Sequence, residues 1–578
     1  MRNTPDWLKF ARNVSLERLM QDLREITQWE RLSGSAEERR AFEYIRRQLA
    51  SAGLRTQVLE HDALISLPRS AALHVYGPES ADIPCITHSF SVATGPQGVE
   101  AQAIYVVDGA ADLTRVNRDV RGRIAVVDGL AMPERVAQLQ AAGAAGAVFL
   151  NRDPLVHEMI VSTVWGSPTL DRLAQLPAIP VVSTAGTAAE RLRAALRGEP
   201  LLRIRIVTEV ETGWRRLPLL VADVAGAHED TYILVAGHVD SWYVGAMDNG
   251  AANAAMMEIG RLMAHVRPYR GLRLAFWSGH SHGRYAGSAW YADNFWEDLA
   301  RRCVVHIYVD SIGGRGADVL EGGYCMPETW AIGAAVIRRI ARQQFRGTRV
   351  GRTGDQSFLG IGIPSLFMTL SEHPPFGPEA SRDFALTGSN SGGLGWWWHT
   401  PQDLIDKIDP RNLLRDAQIY AAAAYWLCTA PVLPLDYAAV AKDVIVKLRE
   451  LQARLDGRFD LSACLAEARA FLAAARALRL RATRAKGARP RGVERINRAL
   501  TTLGRVLIPV LYTRAGRFDH DPATTIPFLP PLVEAERLAT VPEGSAEARA
   551  LTIAATRGRN LLLHALRTAR EIAEEAAR

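Results

Sequence analysis

The chain has 578 residues, too many for one hydrophobic core, so we expect two or three domains. Its 48% hydrophobic and 23% charged residues are typical of a soluble globular protein. The sequence contains no uncharged apolar stretch of about 18 residues, so we expect no membrane span. Because 62 acidic residues nearly balance 69 basic ones, the formal net charge is only +7, which argues against a nucleic-acid partner.

Arginine is concentrated between Arg476 and Arg505, where no aromatic side chains alternate with it for base stacking. A solvated helix face or a subunit contact explains this segment better than a nucleic-acid patch. The five cysteines form no close pair, which favours buried reduced thiols over a disulfide framework or a cysteine metal site. The N-terminal stretch has no apolar run of secretory type, so we expect a cytoplasmic protein.

The first predicted element is a helix within residues 15–53. Ser35 and Glu38 have the spacing of a capping box, and Gly53 ends the helical pattern. Between them the apolar residues recur at helical spacing, at Ala41, Tyr44, Ile45 and Leu49. This segment is the beginning of a domain whose first part we place at residues 1–66.

Short strands and turns follow, including "GRIAVVDG" and "LPAIPVVSTAG". The longer strand pattern resumes only at "TYILVAGHVDSW", so residues 67–212 read as an inserted β-rich domain of ordinary size. From 213 to 432 strands alternate with helices, which predicts an α/β fold with a mostly parallel mixed sheet sandwiched by helices. From 433 to 578 the strands disappear, and four long helical patterns predict a C-terminal helical bundle.

The predicted strands deliver polar side chains at their carboxyl ends, where sites form in open parallel sheets. These residues are His238, Asp240, Asp248, His280, His282, Asp310 and His399. Taken singly, Asp248 could cap a helix, His238 could be a hydrogen-bonded strand-end histidine and Asp310 could be a turn residue. Taken together, imidazoles and carboxylates at the ends of separate strands favour a shared site for zinc or another divalent transition metal. No Walker motif indicates a competing chemistry.

The segments "GHVDSW", "GAMDNGAAN", "VDSIG" and "WHTPQDLIDKID" resemble the motifs of the co-catalytic zinc exopeptidases, which include di-zinc aminopeptidases and glutamate carboxypeptidase. The inserted block is similar to the protease-associated domain of that family. The final helices are similar to the dimerisation domain of glutamate carboxypeptidase and the transferrin receptor. The resemblance implies a homodimer.

The same resemblance implies a role for each matching residue. Asp248 would bridge two ions, His238 and Asp310 would hold one of them, and His399 would hold the other. Asp240 would be the carboxylate that orients His238.

One departure from the family pattern lies in "FWSGHSHG", where the family has an adjacent glutamate pair and this chain has His-Ser-His. Counting forward from "FWSG" places His280 at the position of the general base. Counting back from Gly287 places His282 at the position of a metal ligand, although the two roles could be exchanged. Replacing a ligand carboxylate with neutral imidazole adds one positive charge, which favours an anionic substrate group or, equally, weakens one ion and leaves a mononuclear site.

Three neighbouring residues are weaker candidates for substrate contact. Arg284 and Tyr285 follow His282 directly, and either could instead serve loop packing. Trp398 precedes His399, and it could line the pocket or be structural.

We therefore expect a cytoplasmic metal-dependent hydrolase of small peptide or amide substrates, of aminopeptidase or carboxypeptidase type, with one or two ions per chain. One alternative is a catalytically inactive binding protein similar to the transferrin receptor. Another is a non-peptide amidase or acyltransferase on the same scaffold.

Overall fold

A computed structural model describes residues 4–77, 80–106, 120–198, 202–384, 393–485 and 490–578. The N-terminal part has three helices and a long strand: α1 (Asp6–Ala11), α2 (Leu16–Ile26), α3 (Ala36–Ser51) and β1 (Arg55–Tyr76). The Ser35 N-cap is confirmed, because Ser35 Oγ accepts a hydrogen bond of 3.0 Å from the Glu38 amide at the start of α3, while the Glu38 side chain accepts from the amide of Gly34 at 2.7 Å instead of that of Ser35.

The next part of the chain alternates short strands with two helices. Its elements are β2 (Ala81–Ile83), β3 (Ile86–Thr87), β4 (Val99–Val106), β5 (Ile124–Asp128), α4 (Pro133–Ala141), β6 (Gly146–Leu150), β7 (Val181–Thr184), α5 (Gly186–Gly198) and the long strand β8 (Arg203–Val224). β1 and β8 pair antiparallel along their length, with Ser66 opposite Thr212. The expected limits of the insert therefore lie at paired positions within one continuous ribbon.

The catalytic part follows. Its elements are β9 (Glu229–His238), α6 (Ala252–Met263), β10 (Arg270–Trp277), α7 (Ala286–Asn294), α8 (Trp296–Arg302), β11 (Cys303–Tyr308), β12 (Tyr324–Cys325), α9 (Trp330–Ile340), β13 (Thr348–Arg349), β14 (Ser365–Leu366) and α10 (Pro410–Thr429). β9 pairs parallel with β10 and β11, and β11 pairs parallel with β14. β8 pairs antiparallel with β10, so the sheet is mixed, as predicted.

Both faces of this sheet are buried, which explains the continuous apolar runs of its strands. Ile233 and Val235 of β9 pack in a core with α2, α6 and α10. Leu234 and Ala236 point to the opposite face and pack in a second core with Tyr291 and other residues of the next helices. The period-two alternation of a strand thus divides β9 between two helical layers.

The chain ends in helices: α11 (Tyr437–Leu455), α12 (Ser462–Arg484), α13 (Pro490–Tyr512), the short α14 (Val533–Leu538) and α15 (Ala546–Ala577). The four long helices were predicted, and they share a continuous apolar core with the catalytic part. Among the described helices, none combines the length and the apolarity that crossing a bilayer requires.

Candidate metal centre

Four of the predicted ligands converge at the carboxyl end of the central strands. His238 is the last residue of β9, and Asp248 lies in the turn before α6. The Nε2 atom of His238 lies 3.0 Å from Asp248 Oδ1 and 3.7 Å from Asp310 Oδ1. The Nε2 atom of His399 lies 3.0 Å from the other oxygen of Asp248. Asp248 therefore stands between two imidazoles and presents one oxygen to each.

Two ligand atoms at this point are buried and lack hydrogen-bond partners, which is typical of atoms that bind a metal ion. His238 Nε2 and Asp248 Oδ1 are both buried, yet neither makes a hydrogen bond to any described residue. His238 donates from Nδ1 to the main-chain oxygen of Asp240 at 2.8 Å, which leaves Nε2 with a lone pair. A divalent cation of the zinc type fits between these two buried atoms, which lie 3.0 Å apart.

The protonation states of Asp248 and His399 suit metal binding, whereas for His238 burial lowers the pKa but Asp248 and Asp310 outweigh it and raise that pKa well above its usual value. Burial alone raises the pKa of the Asp248 carboxyl, but His238 and His399 outweigh it and hold that pKa well below its usual value. Burial lowers the pKa of His399, although Asp248 opposes the shift. An ionised carboxylate beside a neutral imidazole is the form in which both residues bind metal.

Asp240 supports the site in a way that differs from the expectation. Its carbonyl oxygen, not its carboxylate, accepts the hydrogen bond from His238, and the carboxylate lies 3.7 Å from that ring. The carboxylate instead accepts hydrogen bonds from the amides of Ser281 at 2.7 Å and His280 at 3.3 Å. It is therefore committed to holding the loop that carries the His-Ser-His sequence.

His280 lies against the first pair of ligands. Its ring stacks on that of His238 with centroids 3.8 Å apart, and one of its nitrogens lies within 4.8 Å of the ligand atoms of His238 and Asp310. Its Nδ1 donates to Asp355 Oδ2 at 2.7 Å, and Tyr308 donates its hydroxyl to the same oxygen at 2.8 Å. His280 is thus an imidazole with a buried carboxylate behind it.

His282 is fully buried and faces a different side of the centre. The hydroxyl of Ser33 donates to Asp240 at 2.7 Å and lies 2.9 Å from His282 Nδ1, and the amide of Ser33 donates to the same nitrogen at 3.4 Å. Nε2 of His282 has no hydrogen-bond partner among the described residues. Burial lowers the pKa of His282 to about 4, so the ring is neutral. His282 also packs on Trp242, with ring centroids 4.2 Å apart. Its role as a ligand stays a prediction.

Sequence reasoning missed three residues that position the centre. Asp403 accepts hydrogen bonds from the amides of Met247 at 2.8 Å and Asp248 at 3.0 Å. Arg31 is fully buried and donates to main-chain carbonyls of the loop after β9. Asp403 stands within a quoted motif and could have been found there. Neither Arg31 nor Asp355 has any such local signal.

A cleft of about 750 Å³ opens beside these residues, between the insert and the catalytic part. Trp398 lines it and stacks on His399, with centroids 3.5 Å apart. Tyr285 also lines it and packs edge-on against His280 at 4.8 Å. Arg284 reaches the cleft, but its guanidinium donates to the carbonyls of Ser162, at 3.0 Å, and Ile160. Its described contacts therefore fix the insert to the catalytic loop.

Comparison with known proteins agrees with this geometry. Residues 220–424 match the profile of peptidase family M28, and this stretch contains His238, Asp248, Asp310 and His399. Residues 220–424 are therefore similar to the co-catalytic zinc exopeptidases. The chain is 25% identical to the probable glutamate carboxypeptidase VP8 of Zea mays over 508 residues, covering 75% of this chain and 69% of that protein. It is 29% identical to carboxypeptidase Q of Bos taurus over 301 residues, covering 49% and 61%.

Solved structures show the same fold. An aminopeptidase from Aneurinibacillus sp. strain AM-1 aligns with a TM-score of 0.54 at 22% identity, covering 73% of this chain and 95% of that one. BSAP, a zinc aminopeptidase from Bacillus subtilis, aligns with a TM-score of 0.53 at 20% identity, covering 75% and 98%. The family match of residues 220–424 supports a metal-dependent peptidase, and zinc fits the donor set.

Proposed function

We propose that this metallopeptidase is an aminopeptidase with two zinc positions, in which His280 replaces glutamate as the general base. The observation that carries the proposal is the contact of 2.7 Å between His280 Nδ1 and Asp355, made while the ring also lies against His238 and Asp310. A general base needs a free acceptor atom at the reacting centre and a group that fixes its orientation.

The hydrogen bonds of His280 define its direction of proton transfer. Because Nδ1 donates to Asp355, the lone pair of the neutral ring is on Nε2. His280 would take a proton from the nucleophilic water on Nε2 and pass it to the leaving amine. Asp355 would stabilise the imidazolium that exists between these two transfers.

The two zinc positions follow from the ligands present. His238, Asp310 and one oxygen of Asp248 would hold the first ion, and His399, His282 and the other oxygen of Asp248 would hold the second. The unpartnered Nε2 of His282 supports this assignment. When bound, zinc supplies polarisation of the scissile carbonyl and of the nucleophilic water.

The cleft favours the amino-terminal end of a substrate. Three arginines are among the described residues that line it. Arg284 and Arg352 donate to main-chain carbonyls, and Arg346 pairs with Glu321. A carboxypeptidase needs a free cation to bind the terminal carboxylate, and each of these three guanidinium groups already has a partner. The predicted preference for an anionic group would then concern the side chain of the released residue.

The test is hydrolysis by zinc-loaded protein of matched tripeptides that are free, N-acetylated or C-amidated, with leucine, glutamate or lysine first. We expect cleavage of the free and amidated peptides, no cleavage of the acetylated ones, and the fastest release for glutamate. Asp248→Asn should abolish cleavage, while His61→Ala, a buried histidine stacked on Trp290, should not.

Three outcomes would contradict the proposal. Cleavage that requires a free carboxylate would indicate a carboxypeptidase. Zinc uptake without cleavage of any peptide, ester or anilide would indicate a binding protein. Protein that takes up no zinc, manganese or cobalt would remove the metal centre itself.

A further inference from the structure

A second group of buried polar side chains lies beside the metal centre. Asp153 and His157 belong to the insert, and Asp383 belongs to the catalytic part. Their carboxylate oxygens and ring nitrogen lie within 4.8 Å of one another, and each side chain is at most 1% exposed. We call these three residues the clasp.

The clasp is satisfied without a cation. Asp383 accepts hydrogen bonds from the amides of Arg152, at 2.9 Å, and Asp153, at 3.1 Å. Asp153 in turn accepts from the amide of Arg382 at 2.9 Å and from the hydroxyl of Ser381. Each carboxylate thus binds the main chain of the opposite segment, which locks the insert to the catalytic part.

His157 connects the clasp to the predicted ligand His399. Its Nε2 lies 2.9 Å from Asp153 Oδ2, and its Nδ1 donates to the main-chain oxygen of Trp398 at 2.5 Å. The next residue, Glu158, donates its amide to the oxygen of His399 at 2.9 Å. His399 donates from Nδ1 to the oxygen of Glu158 at 2.6 Å. Three hydrogen bonds therefore join two residues of the insert to two residues of the metal loop.

The main chain at His399 requires such support. Its φ of 57° lies in the left-handed region, which residues other than glycine rarely adopt. The turn has its own hydrogen bonds, from the amide of Trp398 to Gly395 and from the amide of Thr400 to Trp397. Neither involves the carbonyl or the ring of His399. Among the described residues, those two groups are hydrogen-bonded to the insert.

We infer that His157, held by Asp153 and Asp383, is a positioning residue for His399, so that the insert sets the affinity of the metal position that His399 serves. Fixing the ring through Nδ1 directs Nε2 toward Asp248, and such supporting contacts govern metal affinity as well as activity. The inference rests on the proposed function only in requiring that His399 binds metal, and it is independent of the bond that is cleaved.

The test is titration of metal-free protein with zinc against a chelator of known affinity. The His399→Ala variant identifies which bound zinc ion depends on His399, because that ion is the one whose affinity falls. We expect His157→Ala to weaken binding of that same ion by about 10- to 100-fold and to leave the other unchanged. His157→Asn should restore much of the affinity, because its amide can donate to the Trp398 oxygen from a position near that of Nδ1.

His61→Ala is the matched control. His61 is a buried histidine, 2% exposed, that stacks on Trp290 and makes no hydrogen bond to the metal centre among the described residues. It should keep both zinc affinities. If His157→Ala does not fold, Asp383→Asn replaces it, since this change weakens the clasp while conserving side-chain volume.

The inference is overturned if the clasp variants keep the native zinc affinity, or if they weaken binding of the zinc ion that does not depend on His399. It is equally overturned if His61→Ala weakens binding of the ion that depends on His399 as strongly, because the effect would then be general destabilisation. The inference is also overturned if His399→Ala keeps all of its zinc, or if the native chain takes up no zinc. Zinc binding in the expected pattern without peptide cleavage would refute only the proposed function.

Discussion

Replacing Asp355 by asparagine tests the proposed base most directly. The change conserves shape and removes the negative charge that faces His280 Nδ1 at 2.7 Å. Asp355 is fully buried, so water does not replace the lost charge. We expect the variant to fold, to keep its zinc and to lose most of its kcat.

The size of the loss follows from the geometry. With the charge centres of carboxylate and imidazolium about 4 Å apart and an effective dielectric constant of about 20, their attraction is about 4 kcal/mol. If this attraction develops as the proton reaches His280, its removal slows the reaction by about 1,000-fold. That value lies inside the range of about 100- to 10,000-fold expected for a general base.

The assay is kcat at matched zinc content, with Tyr308→Phe as the control. Tyr308 donates a neutral hydrogen bond to the same oxygen of Asp355 at 2.8 Å. Its loss should cost about 0.5–1.5 kcal/mol, or roughly 2- to 10-fold in rate. A kcat for Asp355→Asn within threefold of the native value, at full zinc content, would refute the reasoning.

Three other predictions concern metal, pH and assembly. Elemental analysis with kinetics should show that His282→Ala loses zinc, while His280→Ala keeps zinc and loses about 100- to 10,000-fold in rate; the reverse pattern would exchange the two roles. Burial raises the pKa of Glu328 from 4.5 to about 7, so the folded state keeps a proton that the unfolded state releases, and stability falls as pH rises between these values. Glu328→Gln should therefore raise Tm at pH 8, because it raises the free energy of unfolding by up to ~3 kcal/mol, and an equal gain at pH 4.5 would contradict this cause. Light scattering should give twice the chain mass, and glutamate in place of the exposed Ile553 or Leu561 should give monomers; a monomeric native chain would contradict the dimer.

Much of the fold was predictable because its signals are local. The Ser35 cap, the apolar run that ends at His238 and the helices after residue 433 each depend on residues close in sequence. The convergence of His238 and Asp310 followed from the rule that parallel strands end at one edge of a sheet, whereas Asp248 and His399 lie in turns. These signals required no knowledge of which helix packs where.

The missed parts of the site depend on contacts between distant segments. Asp355 pairs with His280 across 75 residues, and His157 reaches Trp398 across 241. Arg284 illustrates the converse, because sequence suggested a substrate contact while its guanidinium is committed to main-chain carbonyls of the insert. Burial and pairing of a polar side chain are tertiary facts, and no periodicity in the sequence encodes them.

The position of Asp355 also changes how the loss of the glutamate pair should be understood. Burial disfavours ionisation of Asp355, but the neighbouring His280 outweighs it and holds the pKa of that carboxyl below its usual value. Asp355 is therefore ionised, and it adds a third carboxylate to those of Asp248 and Asp310. The negative charge of Asp355, which lies behind the ring of His280, offsets the extra positive charge that the sequence implies at the metal positions. Under the proposed function, the proton acceptor is an imidazole backed by a carboxylate, the pairing that orients the base in triad hydrolases. Any preference for an anionic substrate must then come from the wall of the cleft, where side-chain substitutions can be made without disturbing the metal ligands.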